Sequence, residues 1–194
     1  MARLWLIRHG ETAWSRTGRH TGRTDVPLTP RGERQAGMLA RRIAGMRFDR
    51  VWTSPLSRAR ETCRLSGHLD EARVDPDLAE WDYGSFEGLT QEQIQARVPG
   101  WSIWSGELPG GESAEQVGRR ADRVIARASA DGGDVALFAH GHLLRVLAGR
   151  WLGLPAAAGR YLALDTASLS RLGHEHGLPV VASWNESYDL VEAP

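Results

Sequence analysis

Two histidines of this sequence stand before a glycine and after a short apolar run, His9 near the start of the chain and His140 far along it. A glycine at the next position lets the backbone approach a ligand closely. The cation of Arg8 beside His9 favours neutral imidazole, which is the form of the side chain that attacks an electrophile. Since histidine nucleophiles form covalent intermediates in enzymes, His9 is a candidate nucleophile.

Two further side chains have types that suit phosphate chemistry. Arg58 is predicted to lie in the first turns of a helix, where backbone N–H groups and the helix dipole already favour an anion. Glu80 precedes Trp81, and apolar surroundings favour the protonated carboxyl group that a general acid needs. Taken alone, each has an ordinary alternative as an exposed charged residue, and His140 has one as a buried, hydrogen-bonded histidine.

A metal site is an alternative reading of two histidine pairs. His140 and His142 are two residues apart, as are His174 and His176, and such residues share a face of a strand, where paired ligation of a metal is feasible. Contact with phosphate explains the first pair equally well, and the second pair flanks a turn-like glycine, Gly177. We therefore expect phosphate binding, with no metal ion and no other cofactor.

The composition excludes several classes of function. The formal net charge is zero, which argues against non-specific binding of nucleic acid. The sequence contains no lysine, so its 24 basic residues are all arginine. This excludes lysine Schiff-base and pyridoxal-phosphate chemistry and the lysine of a nucleotide-binding P-loop. Arginine is therefore the only strongly basic side chain available to bind phosphate, and its planar guanidinium group suits that role.

The sequence favours a cytoplasmic protein with no membrane partner. No apolar run is long enough to span a bilayer. The first residues contain too short an apolar core for a secretory signal, and charge follows that core at once. The single cysteine, Cys63, forms neither an internal disulfide nor a Cys-x-x-Cys metal site.

Strands alternate with helices along the chain. Strands are predicted at Arg3–Ile7, at Arg50–Thr53, near Val74, at Asp134–Ala139, and as two or three more between Tyr161 and Trp184. Helices are predicted after Thr29-Pro30, after Ser54-Pro55, after the capping box of Ser113 and Gln116, and from about Leu143 to Leu152. This alternation predicts one α/β domain, residues 1–194, with a mostly parallel sheet.

Ligands of such sheets bind beyond the carboxyl ends of the strands. That rule selects three segments, which are Arg8-His9-Gly10, Thr53 to Arg58, and His140-Gly141-His142.

These residues belong to five blocks that resemble the histidine phosphatase superfamily, also called the phosphoglycerate mutase-like family. The blocks occur in the family's order, from residue 4 to about residue 155: Leu6 to Thr12, Gly22 to Gly32, Thr53 to Ala59, Leu78 to Gly84, and Ala139 to Gly141. The resemblance implies a three-layer α/β/α sandwich with a mostly parallel central sheet.

The resemblance also implies a mechanism without Mg²⁺. His9 attacks phosphorus and becomes a phosphohistidine, while Arg8, Arg58 and His140 surround the phosphoryl oxygens and stabilise the transition state. Glu80 protonates the leaving oxygen and then helps to activate water. Residues that contact the phosphate or the substrate are expected to be Ser15, Thr21, Gly22, Tyr83, Gly141 and His142.

Hydrolysis is expected rather than phosphoryl mutation. Family mutases carry extra basic residues after the acid block, whereas Leu89 to Gly111 is short here and contains Arg97 as its only cation. Within the family the sequence resembles small bacterial acid phosphatases and the sedoheptulose-bisphosphatase type, and its opening resembles the α-ribazole phosphatases. The expected partner is a small phosphorylated metabolite, with a sugar phosphate favoured.

Alternatives are a phosphoglycerate mutase, an α-ribazole phosphatase, and a binding module that has lost turnover. Trp81, Trp101 and Trp104 either wall the pocket or pack beneath a lid loop. Family members occur as monomers, dimers and tetramers, so a homodimer is one of the expected states.

Overall fold

The structure, a computed structural model, describes residues 1–187. Residues 188–194, the end of the expected 1–194 domain, lie outside the described part. Six strands form one sheet in the order β3-β2-β4-β1-β5-β6. Their bounds are Ala2–Arg8 (β1), Arg50–Thr53 (β2), Ala72–Val74 (β3), Gly133–Ala139 (β4), Leu169–Glu175 (β5) and Leu178–Glu186 (β6).

The strands β3, β2, β4 and β1 are parallel neighbours, while β5 runs antiparallel to both β1 and β6. The sheet is therefore mostly parallel, and the predicted α/β class is confirmed. The C-terminal region supplies two strands, the lower of the two numbers expected. Helices account for the crossovers, since parallel strands need a long connection between them.

Six α-helices accompany the sheet within residues 1–187. They are Ala13–Arg16 (α1), Pro30–Ile43 (α2), Ser57–Leu65 (α3), Gln91–Arg97 (α4), Ala114–Ala130 (α5) and Gly141–Trp151 (α6). Among these described residues, no helix has both the length and the apolar character needed to cross a membrane. The helices expected after Thr29 and Ser113 are confirmed, and each of these two side chains caps its helix.

One helical prediction needs correction, and two short helices, α1 and α4, were not predicted. The helix after Ser54-Pro55 begins only at Ser57, and the residue at its N-cap is Leu56, without a side-chain cap. The hydroxyl of Ser54 instead bonds a distant histidine, as described below. Helix α4, which was not predicted, begins with a capping box between Thr90 and Gln93.

The alternation of side chains along the strands makes two cores, one on each face of the sheet. Leu6 and Leu137 face a large core that includes buried residues of α5 and α6. Ile7 and Phe138, the next residues along, face a smaller core that includes Leu39 of α2. The sheet thus lies between two helical layers, as the resemblance implies.

A close backbone contact joins the end of β1 to the start of α2. A Cβ atom added at Gly32 would lie 2.1 Å from the backbone oxygen of Glu11, and one added at Gly10 would lie 2.4 Å from the oxygen of Gly32. Both glycines are needed because the two segments leave no space for a methyl group. The contact fixes the segment that follows His9.

We expect Gly32→Ala to destabilise the protein by about 1–3 kcal/mol, since the added methyl group overlaps backbone atoms that cannot move independently. Gly37→Ala on the same helix is the matched control, because nothing lies within 4 Å of a Cβ there. The control should stabilise the protein by about 0.5–1 kcal/mol. Denaturant unfolding of both variants measures the difference, and equal stabilities would contradict the contact.

Candidate active site

The register of the sheet brings the ends of three strands together. Arg8 pairs with Ala139 and Thr53 pairs with Phe138, so β1, β2 and β4 end at one edge. The pairing continues for one more residue, because the amide of His9 donates to the oxygen of Ala139 at 3.0 Å. The segments that follow these strands therefore converge, as expected for the carboxyl ends of parallel strands.

His9 is held with one ring nitrogen committed to the backbone. Its Nδ1 lies 2.7 Å from the carbonyl oxygen of Gly10. Since a carbonyl only accepts, Nδ1 carries the hydrogen, and Nε2 of the neutral ring keeps a free lone pair. Burial, followed by the charges of Arg58 and Arg8, holds the pKa of His9 well below its usual value. The side chain is therefore a neutral imidazole whose Nε2 is free to attack an electrophile.

Arg58 is fully buried beneath this edge. Its Nη1 donates to the oxygen of Thr24 at 3.1 Å, and its Nη2 donates to those of Thr21 and Gly22, both at 3.0 Å. Its Nε donates to Nδ1 of His140 at 3.2 Å. Four of the five N–H donors of a guanidinium are thus used, and one on Nη1 remains.

His140 is bonded through both ring nitrogens. Nδ1 accepts from Arg58, so the hydrogen is on Nε2, which donates to the hydroxyl of Ser54 at 2.7 Å. Burial, then the charges of Arg58, His9 and Arg8, holds the pKa of His140 well below its usual value. Its ring centroid lies 5.2 Å from that of His9. The structure therefore places His140 as the partner of Arg58 and Ser54.

Glu80 lies at the N-terminus of α6. Its Oε1 accepts from the amides of Trp81 and Leu143, both at 2.9 Å, and its Oε2 accepts from the amide of His142 at 3.0 Å. These three bonds fix the orientation of the carboxyl group. Arg120 of α5 holds the preceding turn by donating to the oxygens of Asp77 and Ala79 and to that of Glu80.

Arg8 has an unsatisfied donor. Its Nη1 donates to the oxygen of Leu164, whereas its buried Nε has no hydrogen-bond partner among residues 1–187. A Cβ at Gly141 would lie 3.2 Å from this Nε, so the glycine gives the guanidinium its space. A buried donor without a partner costs free energy, and an oxygen atom of a phosphoryl group would satisfy it.

A cavity of about 300 Å³ lies over these groups. Of the eleven predicted site residues, eight line it: Arg8, His9, Ser15, Thr21, Glu80, Tyr83, Gly141 and His142. The other three, Gly22, Arg58 and His140, do not line it but each neighbours a residue that does: Tyr83, Thr21 and His9 respectively.

Five side chains that line the cavity were not among the predicted site residues: Arg19, His20, Gln91, Arg145 and Leu164. Arg145 had a usable signal, because it lies three residues after His142 on one helix, and such residues share a face. His20 and Arg19 follow α1, and packing against the segment Gly88–Leu89 brings them to the cavity. No local sequence pattern predicts that contact.

The tryptophans pack behind the cavity rather than lining it. Trp81 and Trp101 are buried in the larger core. Trp104 contacts the ring of His142, and the guanidinium of Arg145 lies 4.6 Å above the ring of Trp104. Among the residues described, no group of three or more metal-binding side chains is arranged to hold a metal ion.

Comparison with known proteins gives a consistent answer. The model of the family described as histidine phosphatase superfamily (branch 1) matches residues 4–187. An acid phosphatase of Mycobacterium tuberculosis (strain ATCC 25618 / H37Rv) is 45% identical over 184 residues, covering 93% of this chain and 90% of that protein. A sedoheptulose 1,7-bisphosphatase of Saccharomyces cerevisiae (strain ATCC 204508 / S288c) is 39% identical over 186 residues, covering 78% of this chain and 68% of that protein.

A solved structure also resembles the fold closely. The product of the open reading frame Rv3214 from Mycobacterium tuberculosis superposes with a TM-score of 0.91 at 43% identity, covering 96% of this chain and 98% of that one. The predicted family and fold are confirmed by these likenesses.

The four histidines around the site predict how stability depends on pH. The pKa values of His9, His20, His140 and His142 are all lowered, chiefly by burial. Below about pH 6.5 these histidines are protonated in the unfolded chain but stay neutral in the folded chain. The free energy of unfolding therefore falls as the pH is lowered, by about 1.4 kcal/mol per pH unit for each such histidine.

We expect unfolding at pH 5.5 to take up about three protons. Calorimetric unfolding in phosphate-free buffers of different ionisation enthalpy measures this uptake. An uptake of fewer than about one proton would contradict the neutral state of these rings.

Proposed function

Since this chain belongs to the histidine phosphatase superfamily and is a phosphoric monoester hydrolase, we propose that it hydrolyses small phosphorylated metabolites, sugar phosphates above all, through a phosphohistidine at His9. One observation carries the proposal. The lone pair on Nε2 of His9 is free, and the unsatisfied Nε of Arg8 and the carboxyl group of Glu80 belong to the same cavity.

In the first step, Nε2 of His9 forms a bond to phosphorus while the bond from phosphorus to the ester oxygen breaks. The electron pair of the broken bond stays on the leaving oxygen, which takes a proton from Glu80. Arg8 donates to the phosphoryl oxygens through Nε, and Arg58 does so through its remaining Nη1 hydrogen. Their charges stabilise the transition state.

In the second step, Glu80 takes a proton from water as the water oxygen attacks phosphorus. The electron pair of the P–N bond returns to Nε2 of His9, and inorganic phosphate is released. His140 serves as a positioning residue, because its two bonds fix the guanidinium of Arg58. The arginines supply the positive charge that other phosphatases draw from a metal ion, so no metal takes part.

The names of the relatives and the size and lining of the cavity support the proposed substrate class. The relatives are named acid phosphatase and sedoheptulose 1,7-bisphosphatase. The cavity volume of about 300 Å³ suits a small metabolite. Polar side chains, namely Ser15, His20, Gln91 and His142, line it beyond the reacting groups. A hydroxylated metabolite is therefore favoured over a phosphoprotein.

Phosphoglycerate mutase is the second candidate. Arg19 and Arg145 line the cavity together with Arg8, and these additional cations suit the carboxylate of a phosphoglycerate. Incubation with 3-phosphoglycerate discriminates between the two, because a phosphatase releases phosphate whereas a mutase returns an isomer.

We expect His9→Ala to lose nearly all phosphate release, because the substitution removes the proposed nucleophile. The assay uses a panel of sedoheptulose and fructose bisphosphates, 3-phosphoglycerate, phosphoserine and α-ribazole phosphate, with EDTA present. Quenching in alkaline detergent, which preserves the acid-labile P–N bond, followed by chromatography tests for label on His9 from labelled substrate. Retained release in His9→Ala, or complete loss with EDTA in the wild type, would contradict the mechanism; binding without any turnover would indicate a binding module.

We expect Glu80→Gln to lower kcat/KM by about 100-fold or more for alkyl phosphates, since it removes a general acid. Nitrophenyl phosphate, whose leaving group departs without a proton, should be affected far less in this step. The same variant measured on both substrates controls for any change in folding, because misfolding lowers both rates equally. Equal losses would show that Glu80 is not the acid.

A further inference from the structure

Two histidines form one wall of the cavity. The rings of His20 and His142 are nearly parallel, with 9° between their planes and 6.0 Å between their centroids. Both rings line the cavity together with His9 and Glu80. We call the pair His20 and His142 the histidine wall. The phosphoryl-transfer steps described above use neither ring.

The hydrogen on His20 is fixed by its neighbour. Its Nδ1 lies 2.9 Å from the carbonyl oxygen of Leu89, so Nδ1 carries the hydrogen and donates. Burial lowers the pKa of His20, which keeps the ring neutral near pH 7. The side chain is only 9% exposed, and its Nε2 has no protein partner within residues 1–187. His20 therefore presents a bare acceptor.

In His142 the ring hydrogen is on Nε2, the opposite nitrogen from that in His20. Its Nδ1 lies 2.6 Å from the hydroxyl of Tyr83. Tyr83 is buried, and its hydroxyl has no other hydrogen-bond partner among the described residues, so the phenol donates its hydrogen to Nδ1. Burial also raises the pKa of Tyr83 well above its usual value, which keeps that hydrogen on the phenol. Burial likewise holds the pKa of His142 well below its usual value. The ring hydrogen is then on Nε2, which has no partner in the described chain, and His142 presents a donor.

We infer that the histidine wall binds a hydroxyl group of the substrate, on a carbon next to the phosphoryl group. An acceptor and a donor stand on neighbouring parallel rings, and a hydroxyl group is the common substrate group that both donates and accepts. The inference rests on the proposed phosphatase function and refines its substrate class. It makes His20 and His142 specificity-determining residues for polyol and sugar phosphates.

The arrangement disfavours two other kinds of substituent. A carboxylate or a second phosphate only accepts, so it would place its oxygens against the bare Nε2 of His20. An alkyl chain would leave both ring nitrogens buried without partners, which costs binding free energy. The supporting rings hold the wall rigid: Tyr83 and Trp101 meet His20 edge-on, and Trp104 meets His142 edge-on.

The test compares glycerol 1-phosphate with propyl phosphate, which differ in hydroxyl groups but share the phosphate charge. Four variants are measured: His20→Asn, His20→Gln, His142→Asn and His176→Asn. An asparagine amide reaches about as far as Nδ1, so it keeps the internal bond and loses the group that faces the cavity. A glutamine amide reaches about as far as Nε2. His176 is an exposed residue at φ 50, which suits asparagine, so it provides the matched control.

We expect the wild type to prefer glycerol 1-phosphate in kcat/KM, and His20→Asn and His142→Asn each to reduce that preference by about three- to ten-fold, the value of one hydrogen bond. His20→Gln, which keeps an acceptor near the position of Nε2, should lose less of the preference than His20→Asn, and His176→Asn should stay within about twofold of the wild type. A preference unchanged in both asparagine variants, or an equal loss in His20→Gln and His20→Asn, would overturn the inference. Absence of any hydrolysis by the wild type would instead refute the proposed function.

A second measurement needs no variant. Nitrogen NMR of the folded wild type distinguishes the two neutral forms of each imidazole ring. We expect the hydrogen on Nδ1 of His20 and on Nε2 of His142. The reverse position on either ring would overturn the inference, because the wall would then present two donors or two acceptors.

Discussion

The site depends on the burial of one charge, that of Arg58. Burying a guanidinium costs several kcal/mol unless its donors are satisfied. Here the partners are three backbone carbonyls and His140, while the carboxylate of Asp25 lies 4.0 Å away. Carbonyl dipoles satisfy the donors without cancelling the charge. The charge is therefore still available to a phosphoryl group, and the same bonds hold the segment Thr21–Thr24 against α3 and the end of β4.

The same burial keeps the neighbouring histidines neutral. Burial is the main cause of the lowered pKa values of His9 and His140, and the charges of Arg58 and Arg8 lower them further. Protonating either ring would place a third cation in a buried cluster. Neutral imidazole is the form that attacks phosphorus in the proposed mechanism, so the buried arginines that would bind the anion also favour the reactive form of His9.

Much of this could be predicted from the sequence, because the signals are local. Period-two and continuous apolar runs predict the strands, and the capping residues Thr29 and Ser113 predict two helix starts. The order of strand ends brings His9 and His140 to one edge. Local sequence patterns do not reveal hydrogen bonds between residues that are far apart in the chain. Ser54 has the residue type of a helix cap, yet its hydroxyl bonds a histidine 86 positions away. The position of His20 in the cavity likewise comes from packing between loops.

One residue type therefore does four different things in this site, and the partner of Nδ1 decides which. A carbonyl at Nδ1 leaves Nε2 bare on His9, the proposed nucleophile, and on His20, the proposed acceptor. A guanidinium or a phenol at Nδ1 puts the hydrogen on Nε2 of His140 and of His142. Composition and residue spacing do not reveal these partners. The chemistry of each histidine can therefore be assigned only when the hydrogen-bond partner of its Nδ1 is known.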